Sequence, residues 1–236
     1  PELPDLPLRS RNDKIRRISH AAAERSHTTP FPPGADLAHD TIAVIDFGGQ
    51  YAHLIATKIR RRGVRAEIRQ PEDPVEVFQR YQGIVISGSP SLASHGEDSE
   101  YTKEIYDLDV PILGFCFGHQ QIAQHYGGEV EHGGREWGKA ELHLDAQHPL
   151  FKGLDDVEQV FMSHYDSVIS VGPDFEEIGH SITGLASEHR YAAIGSDKLR
   201  RYGFQFHPEV DDTTHGDDMI ANFVFEICKC EVSWSM

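Results

Sequence analysis

The sequence predicts an α/β fold: a three-layer, mostly parallel open sheet with helices on both faces. Three observations predict it. Short continuous apolar runs of the kind shown by strands buried on both faces recur along the chain. Stretches with apolar residues at helical spacing follow them, and glycines stand where those helices end. The first run is TIAVIDF from Thr41, followed by Tyr51, Leu54, Ile55 and Ile59 at helical spacing up to Gly63, which makes one βα unit. VRAEI, GIVIS and PILGF are further short strands, and HQQIAQHY after the last of them is a helix closed by Gly127 and Gly128. YGFQF is another strand, and Met219, Ile220, Phe223, Val224 and Ile227 form one face of a final helix. In such a sheet the active site is expected at the carboxyl ends of the strands. No internal repeat is visible.

With 236 residues, 39% of them hydrophobic, the chain can bury the core of one domain or at most two. Lys plus Arg number 22 against 38 Asp plus Glu, a net charge of −16. A surface that acidic repels nucleic acid and anionic lipid, so a small substrate or a basic partner is expected. No apolar run approaches the roughly 20 residues that span a bilayer, and the opening PELPDLPLRS lacks an apolar signal core, which predicts a cytoplasmic protein. Residues 1–40 stand apart: prolines bracket a short potential helix between Asp13 and Arg25, and six basic residues balance six acidic ones. The whole −16 therefore falls on residues 41–236. The first segment reads as an N-terminal extension, a solvated tail or a docking element, ahead of one domain at 41–236.

The three cysteines, Cys116, Cys228 and Cys230, imply no disulfide framework, and Cys228-Lys229-Cys230 lacks a familiar zinc spacing, so packing is its favoured reading. Cys116 differs. In Gly114-Phe115-Cys116-Phe117-Gly118 it stands between glycines where a strand gives way to a helix, a turn that forces a nucleophile out of the backbone with the following N–H free to bind an oxyanion. The helix N-terminus favours negative charge on the sulfur. The bland alternative is a small buried apolar residue, the usual fate of an unpaired cysteine. Ninety-one residues on, Phe206-His207-Pro208-Glu209 follows the YGFQF strand. Positions 207 and 209 are expected to project to the same side of a strand end, so that Glu209 orients the His207 ring while His207 takes a proton from a thiol. A surface turn is the alternative for one of 15 histidines. SGSPS (87–91) is no phosphate loop, because Pro90 removes an N–H, and there is no Walker A motif.

GFCFGHQ, GFQFHPEV and the early DFGGQY together resemble the motifs of the class I glutamine amidotransferases. Finer matches are similar to the glutaminase domains of GMP synthases: Ser87-Gly88-Ser89-Pro90, REWGKAEL (135–142), PLFKGL (149–154), Met162-Ser163-His164 and NFVFEICKCEVSW (222–234). The resemblance spans about residues 42–235. It implies a glutaminase with Cys116 as nucleophile, His207 as base and Glu209 as the orienting acid. Backbone N–H groups of Gly88 and Phe117 are implied as the oxyanion hole, and Gln120 with Ser163, His164 and Tyr165 as the segments holding L-glutamine. It implies no cofactor or metal in this chain. ATP and Mg2+ are expected in a separate ATP pyrophosphatase (synthetase) domain or subunit that binds XMP and aminates it to GMP. Two residues depart from the pattern: Ser89 where S-G-G-P is usual, restricting the backbone beside an oxyanion donor, and Tyr165 where S-H-G-D is usual, where a side chain crowds or covers the glutamine pocket. The rival readings are a freestanding γ-glutamyl hydrolase with the same triad and a non-catalytic regulatory module.

Overall fold

The computed structural model describes residues 39–48, 51–89, 101–183 and 187–235. The N-terminal extension expected at 1–40 lies outside them apart from its last two residues. The predicted strands form as β1 (Thr41–Ile45), β2 (Arg65–Arg69), β3 (Gly83–Ile86), β4 (Ile112–Phe115) and, late in the chain, β9 (Arg201–Phe204). The helices are α1 (Ala52–Arg61), a single turn α2 (Val75–Phe78), α3 (Phe117–His125) and α4 (Gly216–Asn222). Every residue of β1 is buried, and successive side chains enter different cores. Ile42 and Val44 pack with Ile55 and Ile59 of α1 and Met219 of α4, whereas Ala43 and Ile45 pack with Phe78 of α2 and Phe117 and Ile122 of α3. Helices thus cover both faces, which is why the strand reads as an unbroken apolar run.

Among the described residues one nine-stranded sheet runs in the order β2-β1-β3-β4-β9-β8-β7-β5-β6. The first five strands in that order are parallel. The rest, β5 (Glu129–Leu144), β6 (Val157–Ser170), β7 (Glu176–Thr183) and β8 (Ser187–Ser196), pair antiparallel with one another, and β8 pairs antiparallel with β9. The sheet is therefore mixed and divided nearly in half, rather than mostly parallel. β5 and β6 form a long pair with register shifts at Glu129/Val130 and His132/Glu136, bulges that bend it. Although β6 is four places from β9 in the pairing order, its edge returns to the segment that follows β9. His207 N donates to Phe161 O (3.1 Å), Phe161 N to Thr213 Oγ1 (3.0 Å) and Thr214 N to Gln159 O (3.0 Å).

Arg201 opens β9 and is buried with no salt bridge among the described residues. Its guanidinium donates to the carbonyls of Tyr106, Leu108, Val110 and Leu199 at 2.6–2.9 Å and to the Tyr126 hydroxyl at 3.0 Å. The loop before β4 is tied to the sheet in this way. After α4 the chain widens into a π-turn, Phe223–Ile227, with Cys228 N bonded to Phe223 O five residues back. Cys228 and Cys230 point inward, and burial pushes the Cys228 thiol well up and the Cys230 thiol up to about 12.

Candidate active site

Cys116 sits between β4 and α3 with φ 48 and ψ −101, a conformation that L residues avoid. Its N–H donates to Phe204 O of the neighbouring strand (2.8 Å), and its own carbonyl starts the helix by accepting from Gln120 N (3.1 Å). The strained residue is thus held from both sides. A Cβ on Gly114 would come within 2.3 Å of the Gly118 backbone, and one on Gly118 within 2.7 Å of Ile86 O. Both glycines are needed for helix and strand to approach this closely, and that approach turns the sulfur toward the carboxyl ends of β4 and β9.

β9 ends at Phe204, so His207 and Glu209 lie in a turn beyond it and do not share a strand face as the alternation predicts. The turn brings them together all the same: His207 Nδ1 and Glu209 Oε1 are 2.7 Å apart and both side chains are buried. Thr213 Oγ1 donates to His207 O (2.6 Å), fixing the turn. Burial alone would lower the His207 pKa, but the Glu209 carboxylate and the hydrogen-bonded Cys116 sulfur outweigh it and hold the ring well above its usual value. The second Glu209 oxygen is enclosed without a hydrogen bond among the described residues.

Gly88 lies against both Cys116 and His207: a Cβ there would meet His207 Cε1 at 3.2 Å and Cys116 Cβ at 3.7 Å. Ser87 Oγ accepts from Phe47 N (3.2 Å) and donates to Gly88 O (3.0 Å), while Ser89 Oγ donates to Phe47 O (3.2 Å), so Ser89 adds a tether to the loop. Residues 90–100 lie outside the described part. Phe117 is the first residue of α3 and its ring is buried against Phe47. The Gln120 amide donates to Asp166 O (2.6 Å) and Gln205 Oε1 (3.2 Å), linking α3 to β6 and to the end of β9. Ser163 O is 3.8 Å from Cys116 Sγ. His164 is buried and its ring turns to Glu136, whereas Tyr165 is 55% exposed and leans on Trp137 with ring centroids 5.8 Å apart.

Residues 43–227 match the family described as Glutamine amidotransferase class-I. The chain belongs to this family. The amidotransferase is 42% identical over 200 residues to a protein of Symbiobacterium thermophilum named GMP synthase (glutamine-hydrolyzing), an alignment covering 83% of this chain and 38% of that one. To the Staphylococcus carnosus protein of the same name it is 43% identical over 202 residues, covering 84% and 38%. The chain thus spans about two fifths of the length of these curated relatives. Among solved structures, a putative GMP synthase subunit from Thermoplasma acidophilum superposes with a TM-score of 0.70 at 28% identity, covering 82% of this chain and 96% of that one. A Thermotoga maritima glutamine amidotransferase shares the fold at a TM-score of 0.57 and 19% identity, covering 82% and 86%.

Two residues of the amidotransferase site escaped the sequence reading. Gln205 Nε2 lies 3.8 Å from Cys116 Sγ, and Tyr51 packs on the His207 ring at 5.2 Å between centroids. Both had a usable signal: Gln205 stands two residues before His207 in FQFH, and Tyr51 closes the DFGGQY motif.

Proposed function

We propose that this chain is the glutaminase part of a GMP synthase, with Cys116, His207 and Glu209 as its catalytic triad. One observation carries the chemistry: a cysteine forced into a strained turn beside a buried histidine whose charged form is favoured by a buried carboxylate. In this reading the Cys116 thiolate, paired with His207, attacks the side-chain amide carbon of L-glutamine. Charge gathers on the amide oxygen and meets the backbone N–H groups of Gly88 and Phe117. His207 gives its proton to the departing nitrogen, ammonia leaves, and a γ-glutamyl thioester remains on Cys116. Water, deprotonated by His207, then releases glutamate and restores the thiol. Glu209 holds the ring and stabilises its charge. The backbone of Ser163–Tyr165 at the β6 edge, with Gln120 behind it, holds the α-amino and α-carboxylate groups.

The ammonia serves a synthetase domain or subunit that activates XMP with ATP. In this reading ATP and Mg2+ belong to that partner, as the similarity to the GMP synthases suggests. No described helix is long and apolar enough to cross a membrane, and the reading places the reaction in the cytoplasm. REWGKAEL and the similarity to the GMP synthases favour this reading over a freestanding γ-glutamyl hydrolase. The test is ammonia release from L-glutamine by wild type and Cys116→Ala, with synthetase partner, ATP and XMP each omitted in turn and glutathione assayed in parallel. Weak basal release, stimulated by the complete set and absent in Cys116→Ala, is expected. Hydrolysis of glutathione with glutamine inert would refute it.

A further inference from the structure

Behind the β6 segment that meets Cys116 lies a buried cluster which the mechanism above does not use. The Glu136 side chain on β5 is 2% exposed. Its carboxylate receives the Ser181 hydroxyl (3.2 Å) and the Thr183 hydroxyl of β7, stands 3.2 Å from His164 Nε2 on β6, and has His189 Nε2 of β8 at 3.8 Å. Four strands of the antiparallel half thus converge on one acid. Burying a carboxylate is expensive unless it is fully paired, so the pairing is an energetic commitment of this half of the sheet.

The His164 ring carries the consequence toward the site. Its Nδ1 lies 3.0 Å from Asp166 O, which also accepts from Gln120 Nε2 at 2.6 Å. The Ser167 hydroxyl also stands 3.5 Å from Nδ1, so the ring is held at both ends, by Glu136 on one side and by the 166–167 segment on the other. Of the neighbouring imidazoles, burial lowers His189, and burial first, then His164, takes His119 down to about 3. A continuous line of contacts therefore runs from Glu136 through His164 to the backbone of 163–166, whose Ser163 carbonyl faces the Cys116 sulfur at 3.8 Å.

We propose that Glu136 is a positioning residue for glutamine: acting through His164, it sets the β6 backbone that binds the substrate's α-groups, without touching the substrate or the thiol. The inference rests on the glutaminase reading above. Glu136→Gln keeps the volume and removes the carboxylate that His164, Ser181 and Thr183 meet. The expected result is a rise of about tenfold or more in KM for L-glutamine with kcat within about threefold, the pattern of lost ground-state binding. Glutamine affinity of Cys116→Ala, which cannot turn over, should weaken by a similar factor when Glu136→Gln is added. Alkylation of Cys116 by iodoacetamide, which needs no glutamine pocket, should stay within about twofold. His164→Gln removes the same contact from its other end and decides the matter if Glu136→Gln fails to fold by circular dichroism. Unchanged KM and affinity, or a loss of kcat and alkylation at constant KM, would overturn the proposal. A wild-type chain that neither binds nor hydrolyses glutamine would instead overturn the glutaminase reading.

Discussion

The turn that carries Cys116 can be perturbed by a single methyl group. In Gly114→Ala the new Cβ would lie 2.3 Å from Gly118 C, 2.4 Å from Gly118 O and 2.6 Å from His119 N. These are backbone atoms, so no rotamer change relieves the clash. Restoring carbon contacts to about 3.5 Å requires the first turn of α3 to retreat from β4 by roughly 1 Å. Overpacking of this kind costs about 1–3 kcal/mol in stability, while a misplacement of about 1 Å in a reacting group costs on the order of 10²-fold in rate. The variant should therefore remain folded, with a urea midpoint only moderately lowered, yet lose roughly two decades in kcat for ammonia release. Gly127→Ala is the control: with φ +90 it costs about 1 kcal/mol of backbone strain, but no atom stands within 4 Å of the added carbon. Its kcat should be unchanged. A Gly114→Ala enzyme with kcat within about threefold of wild type would refute the argument that the sulfur is placed by this helix-to-strand approach.

Two further outcomes follow from other parts of the molecule. His207 is held above its usual pKa in the folded chain, so its proton stabilises the fold fully below about pH 6.5 and that contribution is lost as pH rises through the raised value. Glu209→Gln removes the partner, so the melting-temperature gap between wild type and variant should be widest near pH 6 and narrow toward alkaline pH; a constant gap would sink the assignment. Arg201→Lys keeps the charge but cannot serve the carbonyls of Tyr106, Leu108, Val110 and Leu199 at once. A loss of about 2–4 kcal/mol in urea unfolding is expected, given about 1–3 kcal/mol for each buried acceptor left unmet, and a change below about 0.5 kcal/mol would contradict the role given to this side chain.

The parallel half was legible because its strands are covered on both faces and its helices on one, which writes continuous apolar runs and helical periods into the sequence. TIAVI and GIVI are buried at every position. The antiparallel half was hidden for the opposite reason. Its inward positions include Glu136, His164, Asp166 and Ser181, polar groups that are stable inside only because their partners reach them across three strands, and that pairing exists only after folding. Bulges at Glu129/Val130 and His132/Glu136 break the two-residue alternation further. At the site, Cys116 was legible from its flanking glycines, and His207 with Glu209 from their spacing, though the spacing worked through a turn and not through strand geometry. The approach of Gln205 to the sulfur and of Tyr51 to His207 depends on how loops fold back, so the motifs that hold these two residues did not by themselves show what they touch.

The return of the outermost strand to the site divides labour between two mechanical supports. The sulfur and the imidazole follow adjacent inner strands, β4 and β9, clamped by helices on either side, while the wall opposite them is the rim of a long, bent hairpin. The two supports are not separate, because Phe161 on that rim is bonded to His207 N and to Thr213, which in turn holds the His207 carbonyl. Under the proposed reading, a substitution near Phe161 would therefore disturb the base as well as the wall opposite it, whereas one farther along the hairpin would reach only the wall.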